Sequence, residues 1–224
     1  MKSLNEEHLA VFRRHMVEVI DIEFDLMSEE IGRGRLREDV REALLAVPRH
    51  LFVPAQIAAL AYQDRPLPIG FDKTSSQPFM AALMIDLLDL RADDAVLEVG
   101  TGLGYQAALL AEIVAQVWTV EVVEEFAAFA EPHLAEMGYR NVAVRIGDGS
   151  RGWAEMGPFD AILVTAAARE VPPALVRQLR LGGRLVMPLG DGGEQRLVRI
   201  EKEADGDLSL REVMAVKFTE LETV

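Results

Sequence analysis

The spacing of apolar positions changes character along this chain, and each change predicts a different kind of element. Over 4–31, Leu9, Phe12, Met16, Val19, Ile20, Ile22 and Phe24 recur mostly at helical intervals with charges between them. That pattern predicts an amphipathic helix, with a break near Asp21. Gly32 and Gly34 interrupt it, helical spacing resumes over 36–47, and Pro48 stops it. Periodicity is then lost. Pro54, Pro66, Pro68, Pro78 and Gly70 punctuate 53–78, so beyond a short helix over 55–61 no regular structure is expected there. Long connections of this kind often carry binding or lid segments, which makes this one a candidate site wall.

From Phe79 onward helical and strand-like stretches alternate. Helices are expected over 79–88, 105–114, 123–137 and 172–179. Strands are expected over 95–99, 117–122, 142–146, 161–164 and 184–188. This order predicts parallel βαβ units. Two further strands, over 196–201 and 208–218, flank the polar turn 204–207 and predict an antiparallel pair at a sheet edge. The fold class is therefore α/β, a three-layer Rossmann-like arrangement around a mostly parallel sheet with an antiparallel C-terminal edge. We expect one domain over 1–224: a helical layer to 47, a loop region over 48–78, and a ligand-binding sheet over 79–224.

Composition narrows the chemistry. Half of the 224 residues are hydrophobic, yet none of the apolar runs approaches the ~18 residues of a membrane span. The start is charged and shows no apolar leader, so a cytoplasmic protein is expected. With 37 acidic against 23 basic residues the net charge is -14, which disfavours nucleic acid and anionic membranes as partners. There are no cysteines, and His8, His15, His50 and His133 lack metal-site spacing, so no metal is expected.

The ligand signal lies in 96–105, where Gly100, Gly102 and Gly104 follow a buried strand and open a helix. In open α/β sheets that is where ligands bind. Gly102, Gly104 and Ala107 also fit the dinucleotide pattern. Three carboxylates argue for a different ligand. Glu98, two residues before the first glycine, suits a cationic amino group and would repel a pyrophosphate. Glu121 closes the next strand and can accept from ribose hydroxyls. Asp148, between Gly147 and Gly149, can reach an adenine amine, although it can also make an Asx turn. Together they bracket S-adenosylmethionine.

The chain resembles the protein-L-isoaspartate (D-aspartate) O-methyltransferases over about 40–221. The resemblance rests on Val47-Pro48-Arg49-His50-Leu51-Phe52-Val53-Pro54, Pro66-Leu67-Pro68-Ile69-Gly70, Thr74-Ser75-Ser76-Gln77-Pro78, the glycine turn, Gly147-Asp148-Gly149 and Gly182-Gly183 with the strand after it. It implies a seven-stranded methyltransferase fold with the last two strands exchanged, and a repair role. Family members methylate the α-carboxylate of isoaspartyl residues in damaged proteins, and the ester closes to a succinimide that partly reopens as aspartate. The resemblance maps the motif's serine onto Ser76, with Thr74 and Ser75 on the cofactor side. Three positions depart from the family pattern: Ser75 replaces an aliphatic residue, Phe79 a His or Tyr, and Thr219-Glu220-Leu221 the usual Val-Pro-Leu.

These readings give Ser76 as the catalytic residue, positioning a carboxylate. Thr74, Ser75, Glu98, Gly100, Gly102, Gly104, Glu121, Asp148 and Gly149 are the cofactor residues. A carboxylate is already ionised at neutral pH, so transfer needs alignment rather than a general base. The competing reading of Ser76 is an N-cap of the helix over 79–88. Competing functions are methylation of another peptide carboxylate, a non-catalytic binding module and an NAD-dependent oxidoreductase.

Overall fold

The computed structural model describes residues 5–223. Asn5 starts the first helix, its side chain accepting from the His8 amide at 3.0 Å. Helix α1, Glu6–Leu26, runs through Asp21 without the expected break. Asp21 lies on the outer side of the helix and pairs with Arg41 at 3.2 Å, so its charge is solvated and the helix has no reason to open. The interruption falls at Met27, after which the single turn α2, Ser28–Ile31, ends on a left-handed Gly32. Helix α3, Glu38–Ala46, follows and ends before Pro48, as proline requires.

The region expected to be irregular contains a hairpin. Strand β1, Leu67–Gly70, pairs antiparallel with β2, Lys73–Ser75. Its two turn residues, Phe71 and Asp72, both have positive φ, 49° and 54°. Paired positive φ values define the hairpin turn usually marked by Asn-Gly or Asp-Gly. Phe-Asp does not carry that signature, and Pro68 reads as a breaker although β1 is one strand of an isolated pair. Phe71 is held by an edge-on contact with Phe126, ring centroids 5.3 Å apart.

Helix α4, Pro78–Asp86, then leads into the main sheet. Its strands are β3 (Ala95–Val99), β4 (Gln116–Glu121), β5 (Val142–Ile146), β6 (Phe159–Val164), β7 (Leu179–Asp191), β8 (Glu194–Lys202) and β9 (Leu208–Val216). The order across the sheet is β5-β4-β3-β6-β7-β8-β9. The five strands from β3 to β7 are parallel, and β8 and β9 are antiparallel. The mostly parallel seven-stranded sheet with an antiparallel edge is thus present. Strand β7 starts five residues before the expected 184, because a bulge around Gly182 and Gly183 is accommodated within the strand.

Alternation along β3 sorts the core into two layers. Val96 joins a cluster with Phe24, Leu44, Phe79 and Leu109, packed by α1, α3, α4 and α5 (Tyr105–Ala111). Leu97 and Val99 face the other way, among Ile162, Leu185 and Leu175 of α7 (Pro173–Gln178). Helix α6, Glu124–Glu136, adds Ala130 and Leu134 to the first layer. The two layers press the sheet from both sides and fix the carboxyl ends of β3, β4 and β6 at one edge of the core. Among the described residues, no helix is long and apolar enough to cross a membrane.

Candidate methyl-transfer site

Strand order reverses at β3: β4 and then β5 are added on one side of it, and the chain then crosses to add β6 on the other. Such a switch point leaves a crevice at the strand ends. The turn 100–104 fills it. Thr165, directly after β6, donates its hydroxyl to the carbonyls of Val99 and Gly100, each at 3.0 Å, and so pins the turn to the neighbouring strand. A Cβ on Gly100 would lie 2.2 Å from that hydroxyl oxygen, and one on Gly149 would lie 2.3 Å from Val99 Cγ1. Glycine is needed at both places because the backbone passes too close to its neighbour for any side chain.

Glu121 ends β4 and faces the crevice. Its Oε2 accepts from the Gly102 amide at 2.7 Å and its Oε1 from the Val123 amide at 2.9 Å. Each oxygen keeps further lone-pair capacity, so the group can hold the turn and also accept from a bound polyol. The cleft has two connected compartments. One is lined by Glu121, Gly149, Phe126, Lys73 and the C-terminal residues Thr219, Glu220, Leu221 and Glu222. The other is lined by Ser75, Ser76, Thr101, Gln106, Phe52 and Tyr105. Ile69, Thr74, Gly100, Gly102 and Thr165 belong to both.

Seven of the ten residues singled out from the sequence therefore line one cleft: Thr74, Ser75, Ser76, Gly100, Gly102, Glu121 and Gly149. The other three lie behind it. Gly104 caps α5 with φ 94° and shapes the turn. Asp148 makes the Asx turn, its Oδ1 accepting from the amide and hydroxyl of Ser150 at 2.9 and 2.6 Å. Glu98 is wholly buried. Thr119 donates to its Oε2 at 2.6 Å, and Thr101 stands 2.6 Å from the Thr119 hydroxyl, which with its own proton on Glu98 accepts from Thr101. Glu98 Oε1 has no hydrogen-bond partner among the described residues. Burial raises this carboxyl to about 8, opposed by the Thr119 hydrogen bond and reinforced by Glu121.

Ser76 is held through its backbone. Arg49, fully buried, donates from Nη2 to the Ser76 carbonyl at 2.8 Å and from Nη1 to the Ala61 carbonyl at 2.5 Å. Its guanidinium carbon lies 5.6 Å from the centre of the Tyr105 ring. Ser76 is not the helix cap: Gln77 occupies that position without a side-chain capping bond, its amide donating instead to Asp64, whose other oxygen takes the Phe79 amide at 2.7 Å. Phe79 fills the position where the family has His or Tyr by packing edge-on against Phe24 of α1, centroids 5.6 Å apart. The sequence reading missed Arg49, Thr165 and the C-terminal lining. The available signals were a lone arginine in an apolar motif and a threonine directly after an apolar strand.

The C-terminal segment is tied to the crevice by the Ala167 amide donating to Thr219 and the Leu221 amide donating to Ala167, at 2.8 and 2.7 Å. Lys73 of the hairpin pairs with Glu222 across the opening.

A glycine turn at a switch point, a strand-end carboxylate beside it and seven strands with an antiparallel edge define the class of S-adenosylmethionine-dependent methyltransferases. Two solved structures superpose on the chain. One called protein-L-isoaspartate O-methyltransferase matches with a TM-score of 0.78 at 27% identity, covering 93% of this chain and 65% of that longer one. The other, from Plasmodium falciparum, is a putative protein-L-isoaspartate O-methyltransferase in complex with S-adenosyl-L-homocysteine, with a TM-score of 0.71 at 26% identity, covering 84% and 92%. A family model described as Protein-L-isoaspartate(D-aspartate) O-methyltransferase matches residues 23–223. A protein-L-isoaspartate O-methyltransferase 1 of Polaromonas is 44% identical over 98% of this chain and 93% of its own. One from Trichlorobacter lovleyi is 50% identical over 88% and 90%.

The chain belongs to the protein-L-isoaspartate (D-aspartate) O-methyltransferase family. It is an enzyme that uses S-adenosylmethionine to methylate isoaspartyl residues of proteins.

Proposed function

We propose that transfer takes place where the two compartments meet, with the cofactor on the Glu121 side and the isoaspartyl α-carboxylate on the Ser76 side. When bound, S-adenosylmethionine supplies a methyl group made electrophilic by its sulfonium. Glu121 accepts from the ribose hydroxyls. Thr74, Ser75, Gly100, Gly102 and Gly149 shape the surface around the cofactor, and Gly104 and Asp148 set the turns that present it. Glu98, beneath the turn, offers its unpartnered Oε1 to the cationic amino end.

Ser76 donates its hydroxyl to the substrate carboxylate and orients it. Bound there, the cofactor would supply its methyl carbon to a carboxylate oxygen held by Ser76, with the electron pair of the carbon–sulfur bond left on sulfur. No proton moves, so no general base is required. The rate gain comes from holding oxygen and carbon in line at about 3–3.5 Å. The net charge of -14 supports protein rather than nucleic acid as the substrate.

The observation that carries this reading is that the Ser76 hydroxyl is spared from capping, which Asp64 performs, while Arg49 fixes its backbone beside the glycine turn. Ser76→Ala is expected to leave cofactor affinity unchanged by calorimetry and to lower turnover about 10-fold or more, as for an interaction made with the reacting group. Unaltered turnover on an isoaspartyl peptide rejects the assignment.

A further inference from the structure

Ser76 is held from two sides. Arg49 fixes its carbonyl, and Asp64 fixes the residues that follow it, accepting from the Gln77 side-chain amide through Oδ2 and from the Phe79 backbone amide through Oδ1 at 2.7 Å. Asp64 is therefore a bracket with both carboxylate oxygens engaged. Displacing it moves the backbone on the far side of Ser76.

The bracket is backed by a second acid. Glu23 of α1 stands within hydrogen-bonding range of the Asp64 carboxylate. Phe24, next in sequence, is fully buried and packs edge-on against Phe79, which seats this turn of α1 on the start of α4. As a carboxylate Glu23 has only acceptors to offer, and its buried Oε2 has no hydrogen-bond partner among the described residues. Two carboxylates at this range repel, whereas one proton between them makes Glu23 a donor and joins the pair.

Burial, reinforced by Asp64, raises the Glu23 carboxyl to about 7. The proton that joins the two acids is thus present below about pH 7 and lost above it. The groups that face the bracket from the other side do not titrate with it. Burial lowers the Arg49 guanidinium, which faces Asp64, from its ordinary value without removing its proton. Tyr62 and Tyr105 face Arg49 in turn, and burial raises both phenols, Tyr62 to about 12. His50 meets the Tyr62 hydroxyl at 2.8 Å and is lowered from 6.5 by burial, so it is already neutral where Glu23 ionises.

We infer that Glu23 is a positioning residue for methyl transfer: as a neutral acid it donates to Asp64, steadies the bracket on Gln77 and Phe79, and so holds Ser76 in place. The inference rests on the assignment of Ser76 above, because the bracket matters to turnover only if that hydroxyl meets the substrate. Glu23 lines neither compartment of the cleft. It acts through Asp64, and it gives α1 a part in the reaction beyond covering the sheet.

The test uses the full-length enzyme with saturating S-adenosylmethionine and an isoaspartyl peptide that has no other titratable side chain. Turnover of each variant is read relative to wild type from pH 6 to pH 8.5. Taking the ratio at each pH removes whatever dependence Glu98 and the peptide impart to both enzymes alike. Glu23→Gln keeps a donor that cannot ionise, so its ratio is expected to rise from about one at pH 6 to about fivefold at pH 8.5, the scale of one hydrogen bond. Glu23→Leu has no donor, so its ratio starts about fivefold below one at pH 6 and climbs toward one as the wild type loses its proton. Calorimetry with S-adenosylhomocysteine should show unchanged cofactor affinity in both variants. Ratios that stay flat with pH for both variants overturn the inference, and if Ser76→Ala is impaired they overturn it alone. Unimpaired turnover in Ser76→Ala is a different result, which rejects the Ser76 assignment and takes this inference with it.

Discussion

The two walls of the cleft are held by different forces. The sheet-end wall is backbone: Gly100, Gly102 and Gly149 lie against β3, β4 and β6, and the contacts that fix them run from Thr165 and Glu121 to main-chain atoms. The opposite wall, made of the hairpin, Ser76 and the C-terminal segment, is assembled from distant parts of the chain. It depends on Arg49 reaching 27 residues ahead to Ser76 and on Lys73 meeting Glu222, 149 residues away. One wall follows from the topology of a parallel sheet. The other exists only once the fold has closed, so the same degree of perturbation should do different things to each.

The largest effect is expected at the sheet-end wall. Glu121→Ala removes the acceptor that faces the cleft and frees the Gly102 and Val123 amides together. Losing charge-assisted hydrogen bonds to both ligand and turn costs about 3 kcal/mol, roughly 100-fold in cofactor affinity. Titration calorimetry with S-adenosylhomocysteine measures it. Near-normal affinity would mean that the ribose is not held there, and that the two walls do not divide the work as described.

On the opposite wall the expected loss is in turnover and stability, with cofactor affinity less affected. Arg49→Met keeps the apolar bulk and leaves the Ala61 and Ser76 carbonyls without their donor. Two buried carbonyls left unpaired cost roughly 1–3 kcal/mol each, partly offset because a buried charge is removed as well. Denaturant unfolding should show a net loss of about 2 kcal/mol, and turnover should fall about 10-fold as Ser76 loosens. A variant that unfolds as readily as predicted yet turns over normally would separate Arg49 from the placement of Ser76.

The same contrast explains what was legible in the sequence. The parallel order, the antiparallel edge and the glycine turn could be read because each is a local pattern: strand-like runs, a polar turn, glycines after a buried strand. Arg49 and Thr165 could not be assigned from the linear chain, since their partners lie on other elements. The hairpin was missed because Phe71-Asp72 adopts positive φ without the residues that advertise it. The continuity of α1 through Asp21 was misread for a related reason, as the salt bridge that accommodates the charge comes from α3. Asp148 could be read both ways, and its Asx turn is present.

The smallest effect on binding, and the sharpest division within the sheet-end wall, is expected from Glu98→Gln. Glu98, one residue before the end of β3, and Glu121, the last residue of β4, lie close together, yet one is sealed under the turn and the other faces the cleft. Burial holds the folded Glu98 carboxyl at about 8, against the ordinary glutamate value of 4.5. The folded state therefore binds the extra proton between those values, and this group's contribution to stability is full below pH 4.5 and lost as pH rises toward 8. Glutamine keeps an acceptor for Thr119 and cannot ionise, so the variant should gain stability relative to wild type on going from pH 5 to pH 8. Cofactor binding should move the other way. If Oε1 meets the amino end of the cofactor, ionisation of Glu98 strengthens binding, and the affinity gap between wild type and variant should widen from negligible at pH 6 to about 3–10-fold at pH 8.5, the scale of one charge-assisted hydrogen bond. A gap that stays flat across that range would leave Glu98 as a neutral hydrogen-bonding group beneath the turn, and would make Glu121 the carboxylate of this wall that acts on the ligand.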